Sequence, residues 1–186
     1  MLFRSDASPY RISRMVNIDG MPSKRRMPDV PDHDQSRMLA NEIGSWLDFR
    51  HEAAQSIRKP GTLEELAQRR GRMNPRLSKE WLEYLVTVGA QRSADGWRWT
   101  LDPSMRFGGF GPWRPEWSSL RMAALAVPFL GLLGTVDEPM GWGARARDVK
   151  PWLPAGGRLE VLEGLGHFIH IEEPRRVAEM VLEFVS

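Results

Sequence analysis

Two short segments join a titratable side chain to glycines at the point where an apolar run stops. Asp137 stands in Gly134-Thr135-Val136-Asp137-Glu138-Pro139, just past the run Pro128 to Leu133. His167 stands in Gly164-Leu165-Gly166-His167-Phe168-Ile169-His170, just past Leu159 to Leu162. A carboxylate that accepts from imidazole Nδ1–H fixes the ring tautomer and steadies the imidazolium, leaving Nε2 as a general base. Asp137 and His167 are thus expected to meet and to move a proton for a nucleophile. Glu138, Asp148 and Asp19 are rival carboxylates, although Asp19, in Ile18-Asp19-Gly20, reads first as a cap at a strand end. His170 has no evident third ligand beside it and reads as a packed neighbour of His167. No metal ion and no cofactor are expected.

The elements that must carry these residues are legible from apolar runs and their punctuation. Ile12 to Ile18 is stopped by Asp19-Gly20, Pro128 to Leu133 is closed by Gly134, and Leu159 to Leu162 precedes Gly164; each reads as a strand. Unbroken apolar runs suit a sheet covered on both faces. Met140 to Leu153 is expected to supply a helix between the second and third strands. Pro174 suits the first turn of a last helix, with Val177, Val181 and Phe184, and Met180 beside them, on one stripe. Alternating strands and helices predict a parallel α/β arrangement. Both loops would then leave from the carboxyl edge of the sheet, where such folds bind ligands.

The middle of the chain has a different texture. The expected organisation is a residual N-terminal core strand and loop at 1–34, a helical cap at 35–112, and a C-terminal β/α core at 113–186. Within the cap, a helix runs through Leu39, Ile43, Trp46, Leu47 and Phe49. Thr62-Leu63-Glu64-Glu65 is a capping box. Ser78 caps a helix whose Trp81, Leu82, Leu85 and Val88 form an apolar face ended by Gly89, and Asp95-Gly96 turns the chain ahead of Trp97-Arg98-Trp99. The chain has eight Trp. Trp46, Trp81, Trp97, Trp99 and Trp113 read either as the lining of a pocket for a small apolar substrate or as the packing of a small lid. Phe107-Gly108-Gly109-Phe110-Gly111-Pro112 is a hinge or a linker.

Composition excludes several classes. The 186 residues are 41% hydrophobic and carry 17 Gly besides, a globular composition. With 26 basic and 24 acidic side chains the net charge is +2, so no nucleic-acid partner is expected. Met122 to Leu133, the longest apolar stretch, is broken by Pro128 and falls short of a membrane span. Residues 1–20 carry Arg4, Asp6, Arg11 and Arg14 where a secretion signal needs an apolar run. The absence of Cys removes disulfides, thiolate metal sites and a Cys nucleophile, and fits a cytoplasmic protein.

These segments, taken in order, resemble the C-terminal part of an α/β-hydrolase-fold enzyme with a helical cap. Gly134-Thr135-Val136-Asp137 resembles the acid loop of that family, Gly166-His167 through Glu172-Glu173-Pro174 its histidine loop, and Arg14 to Gly20 the strand after the nucleophile helix. The resemblance implies a partial α/β-hydrolase fold comprising the last three parallel strands, flanking helices and the inserted cap. It also implies serine-hydrolase-like acyl transfer to water, with His167 as base, Asp137 orienting it, and a small apolar ester-like compound as substrate. Dehalogenase and epoxide hydrolase variants stay open. The family places its nucleophile on a Gly-x-Ser-x-Gly elbow, and no Ser here has that setting. The resemblance puts the elbow and the oxyanion donors before Met1, and no nucleophile is assigned in this chain. Three expectations follow: a hydrolase lacking its N-terminal half, an inactive remnant or small apolar-ligand binder, or a subunit completed by a separate N-terminal half. The first strand would then present an edge, open to self-association or to that partner.

Overall fold

The structure is a computed structural model that describes residues 11–22, 44, 47–53, 55, 58–101 and 115–186. In chain order the elements are β1 (Met15–Ile18), α1 (Leu63–Gly71), α2 (Lys79–Gly89), β2 (Ala90–Ser93), β3 (Gly96–Trp99), α3 (Pro115–Ala123), β4 (Phe129–Gly134), α4 (Ala146–Val149), β5 (Arg158–Leu162), α5 (Ile169–Glu172) and α6 (Pro174–Val185). Contacts divide the chain into two units, Met1–Met27 with Arg114–Ser186, and Pro28–Trp113.

The first unit is built on a parallel sheet of order β1-β4-β5. The central β4, Phe-Leu-Gly-Leu-Leu-Gly, is buried over its first five residues, the pattern of a strand covered on both sides. Its alternation separates two cores. Phe129 and Leu133 pack with Met15, Met21, Met122 and Val149 on one face. Leu130 and Leu132 pack on the other with Leu162, Ile169 and Val177. Each of these leucines contributes about 1.5–3 kcal/mol by leaving water. Gly131 lies between them because a Cβ there would stand 2.9 Å from Met21 Sδ and 3.0 Å from Leu159 Cδ1. Helix α6 begins on Pro174 and lays Val177, Met180, Val181 and Phe184 on the second core. The predicted helix over Met140 to Leu153 shrinks to the single turn α4 and a 3₁₀ turn at Lys150–Trp152. Gly143 takes φ 61° and Pro151 supplies no N–H, so a longer helix cannot form there.

The second unit holds α1, α2 and a hairpin. The Thr62 side chain accepts from Glu65 N–H while the Glu65 carboxylate accepts from Thr62 N–H at 2.9 Å, and Ser78 caps α2 through Trp81 N–H. The buried face of α2 carries Leu82 and Val86, packed on Leu66 and Ala67 of α1. Trp81 and Val88, predicted to share an apolar face, are exposed. The segment Ala90–Ser93, which has no apolar alternation, pairs antiparallel with β3, and Gly96 turns the hairpin at φ 121°. Among the described residues no helix is long and apolar enough to cross a membrane.

Candidate acid–base site

The carboxyl ends of β1, β4 and β5 converge, and the polar side chains there form one network. Asp19 follows β1. Its N–H continues the ladder to Leu132 O at 2.8 Å, and its φ of 48° turns the chain back. Asp tolerates this left-handed conformation better than most residues. Asn17 supports the turn, its Oδ1 accepting from Gly20 N–H at 2.8 Å. The turn aims both Asp19 oxygens across the sheet edge. Oδ1 accepts from Gly134 N–H at 3.0 Å and Oδ2 lies 2.7 Å from His167 Nδ1. The side chains are 11% and 18% exposed, respectively. A carboxylate only accepts, so Nδ1 carries a proton, and in the neutral ring Nε2 presents a lone pair. Among the described residues nothing bonds Nε2, and the Phe168 ring meets the imidazole edge-on at 5.1 Å between centroids.

Two glutamates hold the backbone that carries the histidine. Glu172 Oε1 accepts from Gly166 N–H at 2.8 Å, and Glu138 Oε2 accepts from His167 N–H at 2.5 Å. Hydrogen bonds to a charged acceptor are the strong kind. The loop is also stitched to the end of β4, with Val136 N–H donating to Leu165 O at 2.9 Å and Gly164 N–H to Thr135 Oγ1 at 2.9 Å. Gly134 permits this approach: a Cβ there would sit 2.4 Å from Gly166 O.

The carboxylate on His167 is therefore that of Asp19, and the pairing expected of Asp137 is corrected. Asp137 is 56% exposed and stands 3.9 Å from Arg145. The physical reason is the parallel sheet, which delivers every strand's following loop to the same edge. The positive φ at Asp19 turns its side chain inward, whereas the loop after β4 sends Glu138 to the backbone of His167 and leaves Asp137 outside. Asp148 lies in α4. His170 has its pKa held below the ordinary 6.5, first by burial and then by the charge of His167. Among the described residues no three His, Asp or Glu side chains group as metal ligands would. Of the tryptophans expected to line a pocket, Trp97 and Trp99 pack on Leu66 and Val86 within the second unit. Trp81 is exposed and edge-on to Tyr84. Trp46 and Trp113, and the Phe107 to Pro112 segment, lie outside the described residues. Glu172 and Asn17 were missed as positioning residues; the signal for Asn17 was its place in Asn-Ile-Asp-Gly, since Asn before a turn bonds the backbone ahead of it.

The same arrangement of strands is found in solved enzymes. A thioesterase domain from the curacin biosynthetic pathway superposes with a TM-score of 0.68 at 17% identity, covering 97% of this chain and 61% of its own. The chain has the α/β-hydrolase fold. An esterase from Mycobacterium tuberculosis matches with a TM-score of 0.65 at 17% identity, over 99% of this chain and 56% of its own. A marine microorganism esterase gives 0.55 at 18%, over 98% and 64%. This α/β-hydrolase-fold chain spans less than two thirds of the length of these structures. No protein-family model matches it, and neither does any curated protein.

Proposed function

We infer that Asp19 and His167 are the acid–base half of a hydrolytic site that transfers an acyl group to water. The observation that carries this reading is the 2.7 Å contact between Asp19 Oδ2 and His167 Nδ1 at the carboxyl edge of the sheet, with Nε2 unbonded among the described residues. In such a site His167 takes the proton of a serine hydroxyl as it attacks, and Asp19 holds the ring and stabilises the imidazolium. None of the serines in the 186 residues lies in a Gly-x-Ser-x-Gly segment. In this reading the nucleophile arrives on a segment that adds beside β1, either from the same gene or from a partner chain. It is supported by β1, which among the described residues pairs with β4 alone. The substrate class is a small, largely apolar ester or thioester, in keeping with the activities named for the thioesterase and esterase structures above.

The test begins with the DNA preceding Met1. An in-frame or separately encoded Gly-x-Ser-x-Gly segment, expressed with the chain, is expected to hydrolyse a p-nitrophenyl butyrate ester. His167→Ala should abolish that rate and Asp19→Asn should cut it by about 10⁴-fold, as loss of the orienting carboxylate does in such triads. Equal rates in wild type and His167→Ala would overturn the reading. Retention of full activity by Asp19→Asn, with loss in Asp137→Asn, would reassign the acid.

A further inference from the structure

The second unit holds an open groove of about 1010 Å³ whose charge is one-sided. Among the described residues, Arg58, Lys59, Arg69, Arg70 and Arg72 line it, against Glu65 as the one acid. Glu65 is already engaged, accepting from Thr62 N–H and lying 3.9 Å from Arg69. Arg58 spends one nitrogen on Leu101 O at 2.9 Å, and Arg69 bonds the carbonyls of Lys59 and Pro60. Among the described residues no ion pair engages Lys59, Arg70 or Arg72. The Nε atoms of Arg58 and Arg70 are buried without a hydrogen-bond acceptor among the described residues. An unmatched buried donor is unfavourable, and burial also lowers the pKa of Arg70 from its ordinary value. An anion in the groove would offset the charge of these partly desolvated guanidinium groups.

Met73, Leu85, Val88, Trp99 and Leu101 give the same lining an apolar side. Trp99 lies across Gly89, where a Cβ would meet its ring at 2.9 Å, and Thr100 N–H and Oγ1–H both bond Gly89 O. Val88 and Leu101, which border the same groove, keep more than half of their surface exposed, 61% and 57%. A cluster of guanidinium groups beside an exposed apolar strip is suited to a molecule with both characters.

We propose that this groove binds an amphiphilic anion, its charged head on Arg58, Arg70 and Arg72 and its short apolar tail along Val88, Trp99 and Leu101. The site is independent of the Asp19–His167 chemistry, because it asks for binding and not turnover. The full chain is titrated calorimetrically with octyl phosphate below its micelle concentration. Octyl phosphate should bind at least about tenfold more tightly than octyl glucoside, which has the tail without the charge, and than inorganic phosphate, which has the charge without the tail. Raising NaCl from about 50 to about 500 mM should weaken octyl phosphate binding and leave octyl glucoside unaffected. The double variant Arg70→Gln/Arg72→Gln should lose about tenfold or more for octyl phosphate alone. Equal affinity for octyl phosphate and octyl glucoside, or a salt-independent affinity, would overturn the charged head; both are read on the unaltered chain. Equal affinity for inorganic phosphate would overturn the apolar tail. An unchanged affinity in the double variant with a wild-type helical spectrum would overturn the assignment of residues.

Discussion

Gly134→Ala is the sharpest perturbation of the histidine loop. The added methyl would lie 2.4 Å from Gly166 O and 2.7 Å from Leu165 O, both backbone atoms. Carbon and oxygen rest at about 3.3 Å in close contacts, so the two segments must part by roughly 0.9 Å. The end of β4 is fixed by its bond from Gly134 N–H to Asp19 and by its pairing with Leu162 in β5. The strain therefore falls on the loop that carries His167. Crowding of this kind costs about 1–3 kcal/mol; at about 2 kcal/mol the folded-to-unfolded ratio drops roughly 30-fold, and the thermal midpoint falls by about 4–8 °C. Urea unfolding followed by circular dichroism measures the stability, and the proton resonance of His167 Nδ1–H measures the dyad. Gly164→Ala is the control. Its φ of 76° penalises any side chain, yet nothing lies within 4 Å of the added atom, so it should lose about 1–2 kcal/mol with the Nδ1–H resonance unmoved. A Gly134→Ala protein within about 0.5 kcal/mol of wild type, its resonance unchanged, would refute the close approach and the positioning role built on it.

Asp19→Asn should destabilise by about 1.5–3 kcal/mol and erase the Nδ1–H resonance, because one amide oxygen cannot accept from both Gly134 and His167. Asp137→Asn, at an exposed ion pair, should cost under about 1 kcal/mol in the same unfolding assay and leave the resonance in place. The depressed pKa of His170 means that the unfolded chain binds this proton more readily than the folded one. Its contribution to stability is therefore present above 6.5, the ordinary value, and is lost as the pH falls through the folded value. Unfolding free energies measured as the pH falls from about 7 to 5 should decline less steeply in His170→Gln than in wild type. Thr62→Ala removes the hydroxyl that accepts from Glu65 N–H and should lower the stability of the second unit by about 1 kcal/mol, read by thermal melting.

The parallel sheet was legible because each of its strands is a largely apolar segment with a glycine at or within two residues of its end, and α6 because Pro174 and its stripe mark start and face together. The histidine was legible for the same reason. The carboxylate that pairs with it was not, since the loops after β1 and β4 both carry carboxylates to one edge, and a sequence holds no measure of which side chain turns inward. That choice rests on the φ of 48° at Asp19, a tertiary outcome hinted at only by the following Gly20. The hairpin strand Ala90–Ser93 went unseen because Gln91, Arg92 and Ser93 offer no apolar period; β3 and the bridge from Gly61 to Trp97 hold it in place. The basic groove was equally hidden, as Arg58 and Lys59 join Arg69, Arg70 and Arg72 only once the chain has folded back on α1.

Asp19 and Gly134 share a hydrogen bond across 115 residues of chain. To the sheet, all that intervening sequence is a single connection between neighbouring strands. The entropy of closing such a connection grows with the logarithm of its length, so doubling it costs only about 0.6 kcal/mol. Changes in the length of the inserted unit therefore carry little thermodynamic penalty at the Asp19–Gly134 contact, while the pairing of distant segments slows folding. The architecture thus lets one part of the molecule diverge while another is kept in register.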